Sequence, residues 1–303
     1  MHDLEYDPQQ YDRQQYDPQY DQLSDESDPS QLDPFDSRNF RRVDDLAPGQ
    51  RWSTWWDVER LQRGPEPRPD WVVTDSAAVD TDLGILKTGK EADCFLIERA
   101  VPGDPTKQSL LVAKVYRDPD HRSFQRSASY TEGRAVRNSR DMRAIKNKSF
   151  YGRQVQAGQW ASAEWNSLNR LWPLGVPIPY PVQIDGTEIL LEYLTDGDDT
   201  APRLAQTRPD PDQLADLYEQ LATAMELMTS VGVVHGDLSP YNLLVSNNRL
   251  MIIDLPQMID LVANPNGMDF LHRDCVNVCT WFARRGLAVD GEELFARMVA
   301  AAW

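Results

Sequence analysis

Three cysteines in 303 residues are too few and too scattered for a disulfide framework. Cys275 and Cys279 stand four apart on an expected helix. No histidine or second cysteine pair lies near them with zinc spacing, so buried structural thiols are expected there, not a metal site. Basic residues are also short: 31 Lys and Arg face 48 Asp and Glu, a net charge of −17. Long apolar runs are missing, none approaching the roughly eighteen residues of a membrane span. The N-terminus has neither a basic nor an apolar signal region. These absences exclude a disulfide-stapled scaffold and a membrane-spanning chain. A soluble cytoplasmic protein with reduced thiols and no membrane partner is expected.

The acidity is uneven. Residues 1–45 hold thirteen acidic and four basic side chains, a net −9. Residues 1–47 are low in complexity, with Tyr-Asp-Pro-Gln units repeating about every five residues and few aliphatic side chains. Such a segment cannot bury enough surface to offset its ordering entropy, so a disordered acidic tail is expected. Between Arg117 and Arg153, ten Lys or Arg stand against four Asp or Glu, and Arg134, Arg137, Arg140 and Arg143 recur every three residues. This strip reads either as a solvated helix and loop or as an anion site for RNA, a substrate phosphate or the acidic tail.

The chemistry concentrates at 233–254, which reads V-V-H-G-D-L-S-P-Y-N-L-L-V, six loop-like residues, then I-I-D. Asp237 and Asn242 are five apart, and Asp254 ends an apolar run twelve residues later. Phosphoryl transfer from ATP uses these types in this order. One carboxylate orients the attacking group or accepts its proton, while an amide oxygen and a second carboxylate hold the cation on the phosphates. Hard oxygen ligands suit Mg²⁺, with Mn²⁺ as the alternative.

Upstream, L-G-I-L-K-T-G-K-E-A-D-C-F-L-I at 83–97 places a turn, Thr88 to Ala92, between two apolar runs. A strand–loop–strand element over a nucleotide is expected, with Lys90 and Glu91 in the turn. A Walker A loop is ruled out, because Glu91 stands where Ser or Thr must bind magnesium and no helix pattern follows. In L-L-V-A-K-V-Y at 110–116 one lysine, Lys114, interrupts an apolar strand and needs an anionic partner. Glu164 is the best candidate, lying on the apolar face of an expected helix over 160–175 with Trp160, Trp165 and Leu168. Asp185-Gly186 marks a hairpin. The backbone from Glu192 to Leu194 is expected to meet adenine, and T-D-G-D-D-T-A-P reads as a linker. Before all this, Trp52, Trp55 and Trp56 are expected anchors on the following domain, ahead of a helical E-R-L-Q-R stretch. Farther on, an amphipathic helix is expected over 211–230, a helix from near Asn266, and a last helix capped by Asp290 and Glu293.

With these motifs placed, the chain resembles the RIO family of atypical protein kinases and ATPases, close to its type-one branch. The resemblance covers about 81–303. It is carried by T-G-K-E-A-D, V-A-K-V-Y, W-A-S-A-E-W, H-G-D-L-S-P-Y-N, I-I-D-L-P-Q and F-L-H-R-D-C-V-N-V, in that order. It implies an α+β, two-lobed protein-kinase-like fold, with a β-rich N-lobe at 81–194 and a helical C-lobe at 195–303; the extension read at 48–80 lies outside the resemblance. It also implies a Lys114–Glu164 ion pair, Asp237 as catalytic base, Asn242 and Asp254 as metal ligands, and Asp254 as the acceptor of an aspartyl phosphate. Leu255-Pro256 stands where ordinary protein kinases have Phe-Gly, Ser239 replaces their catalytic-loop lysine, and no Ala-Pro-Glu follows. The phosphoryl acceptor would be an unidentified protein or the chain itself. Two alternatives remain open in the sequence. One is a small-molecule phosphotransferase of the aminoglycoside or choline kinase kind, which shares H-G-D-x-x-x-x-N. The other is a nucleotide-gated scaffold that holds RNA or a ribosomal particle through the strip at 117–153.

Overall fold

The computed structural model describes residues 46–117, 150–256 and 258–302. Residues 1–45 of the acidic tail and 118–149 of the basic strip, with Arg134 to Arg143, lie outside them.

A six-stranded antiparallel sheet is built from β1 (Gln50–Trp52), β2 (Val79–Thr88), β3 (Ala92–Val101), β4 (Asp104–Tyr116), β5 (Pro181–Asp185) and β6 (Glu188–Glu192), in the order β1-β2-β3-β4-β6-β5. Helix α1 (Phe150–Leu171) runs between β4 and β5. It ends at Leu171, short of the expected 175, because Pro173 and the left-handed Gly175 turn the chain through a 3-10 segment.

Side-chain alternation along β4 decides what each face of the sheet does. Leu111 and Ala113 point to one face, where they join Trp55, Val72, Ile97, Tyr180, Val182 and Leu190 in a buried cluster. Val112 and Tyr116 pack on the other side with α1. Lys114 shares that second face and is thereby turned toward the helical part of the molecule.

The extension closes the first face. β1 pairs with the start of β2. Gly64 crosses β5 so closely that a Cβ there would meet the Pro181 carbonyl oxygen at 2.0 Å. Trp55 is buried, but Trp56 is 44% exposed and uses its indole N–H on the Thr74 carbonyl, so the expected tryptophan trio does not anchor as a unit. The E-R-L-Q-R stretch forms only a 3-10 turn at Arg60–Gln62, since Gly64 and Pro65 follow at once.

Two segments read as loops are hairpins. T-D-G-D-D-T forms β7 (Thr195–Asp196) and β8 (Asp199–Thr200) about Gly197 at φ 62°. The S-N-N-R-L-M stretch belongs to β10 (Leu243–Ser246) and β11 (Arg249–Ile252), joined by Asn247 and Asn248 at φ 48° and 63°. Two consecutive left-handed residues make the tight turn whose twist suits a hairpin, and asparagine tolerates that conformation. The short strands β9 (Val233–Val234) and β12 (Ile259–Asp260) pair with each other.

Helix α2 (Pro211–Ser230) starts where its cap predicts: Asp210 accepts from the Gln213 N–H at 2.9 Å and Pro211 occupies the first turn. Its stripe of Leu214, Leu217, Leu221, Met225 and Met228 is buried. Helix α3 (Gly267–Ala283) buries Cys275 and Cys279 with Val278 and Phe282, as expected for structural thiols. Helix α4 (Gly291–Ala302) is capped by Asp290, whose Oδ1 accepts from the N–H groups of Glu292 and Glu293. One continuous apolar cluster joins α1 and the inner sheet face to α2, α3 and α4. Among the described residues no helix is long and apolar enough to cross a membrane.

Candidate active site

A cleft of about 940 Å³ opens between the inner sheet face and the loops that follow β8, β9 and β11. Lys90, Glu91, Lys114, Glu164, Glu192, Leu194, Asp237 and Asp254, read from far-apart stretches of sequence, all line it.

The loop between β9 and β10 carries Asp237. A buried carboxylate on α3 holds that loop from beneath: Asp274 Oδ2 accepts from the Gly236 N–H at 2.7 Å and Oδ1 from the Leu238 N–H at 2.9 Å. The backbone on both sides of Asp237 is thus fixed, and the Asp237 side chain is exposed to the cleft. Burial pushes the Asp274 carboxyl above its ordinary value, against the pull of His235 and these two amides. Arg273 adds a guanidinium hydrogen bond to the Gly236 carbonyl. His235 accepts the Asp237 N–H at Nδ1, at 3.3 Å. That role leaves the proton on Nε2, which lies 3.1 Å from the Ile253 carbonyl oxygen and donates to it.

Asn242 ties the loop to Asp254. Its Nδ2 donates to the Asp237 carbonyl at 2.9 Å, and its own carbonyl accepts from the Ile253 N–H at 3.0 Å. With Nδ2 so committed, Oδ1 is the atom left for a cation. Asn242 itself is not on the cleft lining but lies just under Asp237. Asp254 follows at φ 68°, a left-handed backbone that a non-glycine residue adopts only when its surroundings enforce it.

Opposite, Lys114 Nζ donates to Glu164 Oε1 at 2.7 Å and to Asp254 Oδ1 at 2.8 Å. The lysine partner inferred from the apolar strand is therefore in place. Glu164 is 2% exposed and fully engaged. It also accepts from the Tyr116 hydroxyl and, at 3.2 Å, from the Leu255 N–H. Burial would lower the Lys114 ammonium, but Asp254 and Glu164 together raise it well above its ordinary value. Burial likewise raises the Asp254 carboxyl, and Lys114 more than reverses this, holding it below the ordinary range. Burial and then Glu164 raise the Tyr116 phenol. All three groups keep one ionisation state through neutral pH.

The turn over the cleft is tight. The Gly89 N–H donates to the Ala92 carbonyl at 3.0 Å, and a Cβ on Gly89 would meet that oxygen at 2.7 Å. At the far end Glu192 is tied to the Pro-rich stretch: its N–H donates to the Tyr180 carbonyl and its Oε2 accepts the Tyr180 N–H. Leu194 is buried and its carbonyl accepts from Ala201.

The oxygen donors suit a hard divalent cation. Asn242 Oδ1 and the Asp254 carboxylate are two, and among the described residues no group of three or more His, Cys, Asp or Glu converges. A pair this sparse matches Mg²⁺, which keeps few protein ligands and takes the rest from phosphates and water.

Sequence reasoning passed over Asp274, Tyr116, Lys87, Arg203 and Arg273. Asp274 had a signal, since it falls on the apolar stripe Phe270, Leu271, Cys275 and Val278 in the way Glu164 falls on its own stripe. Lys87 and Arg203 had none, because only the fold brings them to the cleft.

The RIO domain matches residues 104–294. The chain is 34% identical over 217 residues to the RIO-type serine/threonine-protein kinase Rio1 of Haloferax volcanii, covering 72% of this chain and 68% of that protein. It is 26% identical to the serine/threonine-protein kinase RIO3 of Bos taurus and 30% identical to the serine/threonine-protein kinase RIO1 of Saccharomyces cerevisiae. Those alignments span 43% and 30% of the respective relatives. A lysine held between a helix carboxylate and the carboxylate after β11, beneath a loop pinned by α3, is thus seen in a sequence that carries the RIO domain over most of its length, and the chain belongs to the RIO family.

Proposed function

We propose that this RIO-family chain uses Mg²⁺ and ATP in phosphoryl transfer, with the cleft as the nucleotide site. The observation that carries this reading is the Lys114 ammonium, held at 2.7 Å from Glu164 and 2.8 Å from Asp254. Glu164 fixes the ammonium where it meets phosphate oxygens, and Lys90 reaches them from the turn above. Asn242 Oδ1 and Asp254 hold the cation, which supplies neutralisation of charge on the phosphates. Glu192 to Leu194 present backbone to the adenine. Asp237, fixed by Asp274 through its neighbours' amides, orients the attacking group and receives its proton.

The acceptor in this reading is Asp254 itself. A carboxylate oxygen of Asp254 bonds to the γ-phosphorus as the bond to the β,γ-bridging oxygen breaks, and ADP leaves with that electron pair. Water, losing a proton to Asp237, then releases inorganic phosphate and restores Asp254. The depressed carboxyl of Asp254 keeps it ionised for the first step. A protein hydroxyl, on this chain or another, is the competing acceptor. Family membership favours both over a small-molecule acceptor or a purely scaffolding role.

A single turnover with γ-labelled ATP separates the two acceptors. Protein-bound label that is acid-stable, labile to hydroxylamine and lost in Asp254→Asn supports the aspartyl phosphate. Hydroxylamine-resistant label moves the acceptor to a hydroxyl. No label and no phosphate release removes the reading altogether.

A further inference from the structure

Lys87 and Arg203 approach the cleft from opposite sides. Lys87 is on β2, at the sheet. Consecutive residues of a regular strand point to opposite faces, yet Leu86 and Lys87 both line the cleft. A bulge explains this: Ile85 pairs with Phe95 and Lys87 with the adjoining Cys94, so Leu86 is the extra residue. Cys94 in turn pairs with Lys114 on β4. The bulge thus turns Lys87 to the same side as Lys114, two strands away.

Arg203 is held by the other half of the molecule. Its backbone bridges to Leu244 of β10, and the Val245 N–H donates to the Pro202 carbonyl at 2.9 Å. β10 begins one residue after Asn242, so Arg203 is anchored to the same hairpin as the loop that carries Asp237. Arg203 is half-buried and Lys87 lies at the exposed rim.

Neither cation has an acidic hydrogen-bond partner among the described residues. Partial burial, and then the Arg203 charge, lower the Lys87 ammonium, and burial lowers the Arg203 guanidinium against the pull of Asp254. Asp254 is the carboxylate both feel, but its Oδ1 is already given to Lys114. Two cations therefore line one cleft with one shared and already engaged counter-charge. An anion carrying several charges, placed between them, removes their repulsion and gains from each.

We propose that Lys87 and Arg203 are a two-sided cationic clamp on the polyphosphate chain of the nucleotide, and that it sets a preference for the triphosphate over the diphosphate and monophosphate. The clamp rests on the reading of this cleft as the ATP site and specifies which part of the ligand these two residues recognise. Lys114 and Lys90 are separate from it, since Lys114 already gives two of its three N–H groups to carboxylates and Lys90 lies in the turn.

The test compares affinities of the full chain for adenosine, AMP, ADP and ATP at low salt with Mg²⁺ present. Wild type is set beside Lys87→Gln, Arg203→Gln, the double variant and Lys87→Glu. The clamp predicts that each single glutamine variant weakens ATP binding about 10-fold, the size of one solvent-touched charge-assisted contact. It predicts a smaller loss for ADP, adenosine affinity within about two-fold of wild type, and a larger ATP loss for Lys87→Glu than for Lys87→Gln. Variants that keep the wild-type rise from adenosine to ATP overturn the clamp while leaving the ATP site standing. So do variants that lose adenosine and ATP alike, which marks a merely structural role. A wild-type chain that binds none of the four overturns the nucleotide reading, and the clamp with it.

Discussion

At the scale of single residues, the site is a set of charges that each need the others. The buried Glu164 carboxylate is met by Lys114, the Tyr116 hydroxyl and the Leu255 N–H, which offset the cost of its burial. Asp237 is different, because its carboxylate faces the cleft and bears no load in the fold. Asp237→Ala should therefore lower the rate of phosphate release in a single turnover by about 10²–10⁴-fold while the ATP dissociation constant hardly moves. A parallel loss of affinity and rate would show that Asp237 binds the nucleotide instead. Asp254 makes a pH-dependent contribution. Its folded value lies below the ordinary 3.8, so the stabilisation it provides is present above that pH and is lost as pH falls through the folded value. The gap in urea midpoint between wild type and Asp254→Asn should shrink as pH drops from neutral to below 3.8. A gap that stays constant would mean that the Lys114 contact contributes nothing to the fold.

At the scale of elements, the position of the loop between β9 and β10 is decided by α3. Both oxygens of Asp274 accept backbone amides, one on each side of Asp237. Asp274→Asn keeps the shape but offers only one acceptor, and its NH₂ then faces an N–H. The catalytic rate should fall by at least 10-fold, with about 1–3 kcal/mol lost in stability, while adenosine affinity is retained. Equal rates in variant and wild type would sever α3 from the chemistry. The starts of α2 and α4 were legible in sequence because capping is local: Asp210 with Pro211, and Asp290, act within one turn. The β10–β11 turn was less legible. Asn-Asn is a weaker turn signal than Asn-Gly, and its left-handed pair became plain only from the backbone.

At the scale of the whole molecule, the extension and the sheet form one structure through a buried charge. Arg99 on β3 is 0% exposed, gives both Nε and an NH₂ group to Asp80 on β2, and gives the other NH₂ to Gln183 on β5. Gln183 passes the network to Thr54 in the extension. Removing Arg99 leaves the buried Asp80 carboxylate only the more distant Arg51, at 3.7 Å. Arg99→Met should destabilise the fold by about 3–5 kcal/mol, and Asp80→Asn added to it should recover part of the loss. Urea unfolding of the two variants checks this, and a double variant less stable than the single one would contradict it. In sequence Arg99 was silent, since L-I-E-R-A-V reads as a strand with its charged residues in solvent.

The amino-acid sequence by itself determined the order of the chemistry: Lys114, Glu164, Asp237, Asn242 and Asp254, with the helix that ends before the catalytic loop. Those features were readable because spacing, periodicity and caps are properties of a few neighbouring residues. Tertiary structure alone decided which polar side chains share a space. Lys114 meets partners 50 and 140 residues away. Lys87 turns inward through a bulge, and Arg203 arrives with a hairpin that sequence reading took for a loop. An ionised group inside a protein is set by the charges packed against it. Those charges come from distant parts of the chain, so the balance of this cleft exists only once the chain has folded.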